Sequence, residues 1–130
     1  MKLDGIETDI YITKDEQLVL THKNRKNEKV AMWNPFREEE VEVSIHEHTL
    51  EELLEFNLLD RKQKLVTLQE FLEKFSNTSL LLCLEIKSNN EKTIQKTLEW
   101  IKKYHVKENI IIYTFDHDMF PYIKKYQKNL

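Results

Sequence analysis

The chain has 130 residues, a formal charge of −3, 40% hydrophobic and 33% charged side chains, enough for one soluble domain with its own core and too little for two. Charges of both signs are interspersed, which argues against the basic face of a nucleic-acid binder. No stretch approaches the roughly 18 unbroken apolar residues of a membrane helix, and Met1-Lys2-Leu3-Asp4-Gly5 starts no apolar leader, so a cytoplasmic protein is expected.

Gly5 to Thr13 alternates, with Ile6, Thr8, Ile10 and Ile12 on one side and Glu7, Asp9 and Tyr11 on the other; that is strand spacing. Lys14-Asp15-Glu16 makes a polar turn, and Leu18 to His22 reads as the returning strand. Lys23 to Glu47 is polar and irregular apart from Trp33-Asn34-Pro35-Phe36, and reads as a long surface loop. Two helices are then announced by capping boxes, Thr49 with Glu52 and Thr67 with Glu70. Leu80 to Ile86 is an apolar run with one acid in it, which predicts a strand buried on both faces. Glu91 to Tyr104 carries Ile94, Leu98, Ile101 and Tyr104 at helical spacing. Asn109 to Phe115 predicts another doubly buried strand, and Asp118 to Gln127 a last helix. Alternating helices and strands after a hairpin imply parallel strands with covering helices, the α/β class. The lone cysteine, Cys83, lies in an apolar run and is expected to be a buried thiol in a reducing compartment.

Glu7 and Asp9, two apart on a strand, project from one face. They form either an ordinary exposed face or, if held close, a pair that needs a cation or a proton between them. Antiparallel pairing returns the Thr21–His22 end beside them, which would add a proton carrier to two acids; a register slip of one residue would turn His22 away. Glu85 is an acid among apolar neighbours at the C-terminal end of its strand, where parallel α/β sheets collect ligands. Lys87 shares its face and can either pair with Glu85 or hold an anionic substrate. Three carboxylates and one well-placed histidine make an oxygen-rich set that suits Mg²⁺ or Ca²⁺ better than zinc. His46 and His48, His105 and His117 are weaker candidates, set in a loop, at a helix end and past a strand end.

Gly5-Ile-Glu-Thr-Asp-Ile-Tyr-Ile-Thr-Lys-Asp15 followed by Leu18-Val-Leu-Thr-His22 resembles the second motif of glycerophosphodiester phosphodiesterases. Thr49-Leu-Glu-Glu-Leu53, Val66-Thr-Leu-Gln-Glu70, Leu84-Glu-Ile-Lys87 and Tyr113-Thr-Phe-Asp116 follow in that family's order. The resemblance covers nearly the whole chain and is weakest over residues 23–47. It implies a (β/α)₈ TIM-type barrel of the phospholipase-C-like phosphodiesterase kind, of which this chain would be about half, as a single truncated domain. It also implies metal-dependent hydrolysis of glycerophosphodiesters, small-molecule substrates, to glycerol phosphate and an alcohol. Carried over by motif, Glu7, Asp9 and Glu85 would be ligands of Mg²⁺ or Ca²⁺, His22 the general acid and Lys87 the phosphate contact.

Two departures qualify the match. The family's first strand bears a His-Arg-Gly motif that no residue here supplies, and its His-Asp pair is His22-Lys23 here. Little turnover by the chain alone, and self-association through open sheet edges, are therefore expected. The competing reading is a non-catalytic binding or assembly module that keeps a remnant of the fold.

Overall fold

The computed structural model describes residues 5–21, 29–88, 90–104, 109–114 and 116–127. Strand β1 (Gly5–Ile12) turns through residues 13–17 into β2 (Leu18–Thr21), and a second hairpin follows, β3 (Lys29–Asn34) with β4 (Glu39–Ser44). A 3₁₀ turn (Ile45–Glu47) leads to the short helix α1 (Leu50–Leu53), then to β5 (Val66–Thr67) and α2 (Leu68–Phe75). The chain continues through β6 (Leu81–Ile86), α3 (Glu91–Tyr104) and β7 (Ile110–Tyr113), and ends in a 3₁₀ turn (His117–Met119) and α4 (Phe120–Gln127).

The main sheet has the order β5-β2-β1-β6-β7, with β1, β6 and β7 parallel and β2 antiparallel to both β1 and β5. It separates two apolar layers. Ile10, Ile12, Leu18, Leu20, Leu82, Leu84 and Ile86 point to the helices and pack with Leu68, Phe71 and Leu72 of α2 and Ile94, Leu98 and Ile101 of α3. On the opposite face Tyr11 and Val19 pack with Val30 and Met32 of β3, Val43 of β4, Ile45 and Leu53. The sheet is open, and the described residues form no closed barrel.

Both helix starts follow the expected chemistry. The Thr49 hydroxyl accepts from the Glu52 amide while Glu52 accepts from the Thr49 amide, and Thr67 and Glu70 repeat the arrangement; each box satisfies two otherwise orphaned backbone donors. Gly5, the one glycine in the chain, lies where β1 meets β6, and a Cβ there would stand 2.8 Å from the Leu81 carbonyl oxygen. Close backbone approach at this point admits no side chain.

Three expectations need correction. Residues 29–44 are a hairpin and not surface loop: Val30 pairs with Val43 and Met32 with Val41, and the pairs sit on the sheet face opposite the helices. Alternation with Glu40 and Glu42 on the other side gives one wet and one buried face. Strands β6 and β7 are not buried on both faces, since Leu81 is 41% and Ile111 49% exposed. Cys83 is only half-buried, because it projects beside these two residues from the uncovered part of the same face.

Candidate active site

The face opposite the helices is where the acids collect. Period two on β1 puts Glu7 and Asp9 there with Tyr11, while Ile10 and Ile12 go to the helix side. The parallel register sets Glu7 beside Cys83 and Asp9 beside Glu85, and sets Glu85 in turn beside Tyr113. Paired residues of a sheet share a face, so Asp9, Glu85 and Tyr113 form one row across three strands, with Glu7 one step below it.

Glu85 is 7% exposed and flanked by Leu84 and Ile86, both buried. A carboxylate removed from water needs a partner, and the Lys87 ammonium provides one at 2.6 Å from Glu85 Oε2. Lys87 lies just past β6, held by its amide donating to the Ile10 carbonyl at 2.9 Å. The buried Ser88 hydroxyl accepts from the Ile12 amide at 2.9 Å and fastens the same segment to the end of β1. The strand end that carries Glu85 and Lys87 is therefore fixed against the strand that carries Glu7 and Asp9.

Tyr113 closes the row. Its hydroxyl donates to Glu7 Oε1 at 2.6 Å. That bond, then burial, and then the negative charges of Glu7, Glu85 and Asp9 push the phenol well above the usual tyrosine range. Glu7, Asp9 and Glu85 thus share one sheet face with this hydroxyl.

The donor chemistry fits a hard divalent cation, because every anionic group in the row offers oxygen. As they stand, however, Glu85 faces Lys87 and Glu7 faces Tyr113. Among the described residues no three His, Cys, Asp or Glu side chains are grouped as ready cation ligands. A cation would have to take Glu85 from Lys87, whereas Tyr113 occupies only one oxygen of Glu7.

Other sequence candidates resolve differently. Thr21 stands opposite Asp9, so the returning strand does reach the acids; His22 itself lies outside the described residues, as do His105 and Phe115. His46 and His48 are both turned to Ser44, His46 Nδ1 lying 3.3 Å from its hydroxyl and His48 Nδ1 2.8 Å from its carbonyl. His117 packs edge-on against the Phe120 ring. A cavity of about 510 Å³ between Ile6, Thr8, Leu20, Phe71 and Phe75 opens on the helix side of β1, away from the acids. Tyr113 is the residue that sequence reasoning left without a role. At the end of Ile110-Ile-Ile-Tyr113 it reads as core, and only the register of three strands brings it to Glu7.

Comparison with known proteins agrees with the motifs. The profile of the glycerophosphoryl diester phosphodiesterase family matches residues 1–130. The chain is 29% identical over 136 residues to a glycerophosphodiester phosphodiesterase of Caldanaerobacter subterraneus, covering 98% of this chain and 52% of that one. It is 31% identical over 120 residues to the uncharacterized protein MG293 of Mycoplasma genitalium, covering 88% of this chain and 48% of that one. The crystal structure of a glycerophosphodiester phosphodiesterase from Agrobacterium tumefaciens superposes with a TM-score of 0.72 at 12% identity, covering 98% of this chain and 52% of that one; this likeness speaks to fold alone. The chain spans about half the length of the curated relatives it matches.

Proposed function

The chain belongs to the glycerophosphoryl diester phosphodiesterase family, and from that premise and the geometry of its acids we propose that it is a metal-dependent hydrolase of glycerophosphodiesters, small-molecule substrates that it splits into glycerol phosphate and an alcohol. The observation that carries the reading is the parallel register that sets Asp9 beside Glu85 at the C-terminal end of β6, where ligand sites of parallel α/β sheets lie. The fold proposed with it is an arc of a (β/α)₈ barrel. Strands β1, β6 and β7 would be consecutive staves, with α2 and α3 on their outer side.

In this reading Glu7, Asp9 and Glu85 hold a Mg²⁺ or Ca²⁺ ion, which when bound offsets the charge of the diester and polarises its phosphorus. The Lys87 ammonium beside Glu85 would hold a non-bridging phosphate oxygen of the diester. His22 protonates the departing alkoxide, a role that rests on its motif alone. Because the Glu85–Lys87 contact must first open, while Tyr113 keeps only Glu7 Oε1, turnover by this chain alone is expected to be weak. The same contacts favour a second reading, a binding or assembly module that recognises phosphate without hydrolysing it, since Lys87 already neutralises Glu85.

The test is calorimetric titration of Mg²⁺ and Ca²⁺ into the chain and into Glu85→Gln, with choline release from glycerophosphocholine measured in parallel. Cation binding and slow choline release, both lost in Glu85→Gln, are the expected results. Binding with no release at any cation concentration favours the binding module. A folded chain that binds neither ion overturns the acids as a metal site.

A further inference from the structure

We infer that Tyr113 is a positioning residue that fixes Glu7 for cation binding, a role that rests on the reading of Glu7, Asp9 and Glu85 as one site. Tyr113 belongs to β7 and Glu7 to β1, with β6 between them. Two strand spacings separate their backbones, about 10 Å, and only a long side chain leaning back from the Glu85 row reaches across. The tyrosine does so, and its hydroxyl meets Glu7 Oε1 at 2.6 Å, within the short range of a charge-assisted O–H···O⁻ bond.

Glu7 needs such a hold more than its neighbours do. Glu85 is buried and paired with Lys87, whereas Glu7 is exposed and its long side chain has several rotamers to choose from. A carboxylate has two oxygens. With Oε1 anchored by the phenol, Oε2 remains as the cation ligand, and the rotamer is chosen before the ion arrives. This is the support that outer partners give to metal-ligating carboxylates elsewhere, typically worth roughly 10- to 100-fold in affinity. Phenylalanine at this position would keep the ring and lose only the hydroxyl.

Calorimetric titration of Ca²⁺ alone into wild type, Tyr113→Phe, Glu7→Gln and the double variant tests the assignment, with near-ultraviolet circular dichroism to verify the fold. Tyr113→Phe is expected to bind about 10-fold more weakly with an unchanged melting temperature. The double variant is expected to bind no more weakly than Glu7→Gln, because the tyrosine acts through that carboxylate. Wild-type affinity in Tyr113→Phe, with loss in Glu7→Gln, overturns the role of Tyr113 while the acid site stands. Additive losses in the double variant also overturn it, since Tyr113 would then act on something other than Glu7. Absence of Ca²⁺ binding in the wild type overturns both.

Discussion

A buried carboxylate beside a lysine is an anion for which two cations can compete. Glu85 is 7% exposed and lies 2.6 Å from the Lys87 ammonium, so an incoming divalent ion must displace the lysine or share the carboxylate with it. Removing one member of a buried pair leaves the other charge uncompensated, at a cost of about 3–5 kcal/mol when both are fully buried. The Lys87 side chain is 23% exposed, so water recovers part of that cost and Lys87→Met is expected to lose roughly 1–3 kcal/mol. It should also bind Ca²⁺ more tightly than wild type, because its competitor is gone, and added Ca²⁺ should restore its melting temperature. Glycerophosphocholine hydrolysis should fall at the same time if the ammonium holds the phosphate. A Lys87→Met chain that binds Ca²⁺ more weakly than wild type would show that the lysine supports the cation site and does not contest it. Glu7, Asp9, Glu85 and Lys87 are all legible in the sequence, since spacing of two puts strand residues on one face and an acid within Leu80 to Ile86 is conspicuous. Tyr113 is not, because its partner lies 106 positions away and two strands over.

Helices are more legible than hairpins in this chain, and glycine usage explains the difference. A capping box advertises itself three residues apart, and both α1 and α2 begin where theirs predict. The turn between β3 and β4 contains no glycine, and Glu38 adopts a left-handed φ of 52° that glycine normally fills. Without an Asn-Gly or Asp-Gly signal the stretch reads as loop, although Val41 and Val43 alternate with Glu40 and Glu42 as a half-buried strand should. The β1–β2 turn is tied differently. Asp15 Oδ1 accepts from the Thr13 hydroxyl and, at 3.0 Å, from the Leu50 amide at the start of α1. The Thr13 bond above all, with the Leu50 amide and Lys96 behind it, holds the Asp15 carboxyl below its ordinary 3.8. A depressed folded-state pKa means that the stabilisation is present in full above 3.8 and is lost as the pH falls through the lower folded value. Asp15 is exposed, so its contribution belongs at the low end of the capping range, roughly 0.5–1 kcal/mol. The unfolding free energies of wild type and Asp15→Ala from urea titration should differ by that amount at pH 7, and the gap should narrow as the pH is taken below 3.8; a gap that does not narrow would mean that the charge has no part in it.

At the scale of the whole molecule the question is what covers the acid-bearing face. The β3–β4 hairpin and α1 cover it over Tyr11 and Val19, but Leu81 and Ile111 stay 41% and 49% exposed on neighbouring strands. An apolar run predicts a strand buried on both sides only when elements exist to cover both, and sequence periodicity cannot reveal that a cover is missing. Among the described residues β7 pairs only with β6, so its outer edge presents unpaired backbone groups next to an exposed isoleucine. Such an edge is a template for another strand, and a charge placed on it is the usual deterrent. Self-association through this edge is therefore proposed for the chain in isolation. Sedimentation velocity across a hundredfold concentration range should show reversible assembly of the wild type. Ile111→Lys should suppress it, with secondary structure retained. Assembly that persists unchanged in Ile111→Lys would move the contact elsewhere, and a strictly monomeric wild type would mean that this edge is protected in solution.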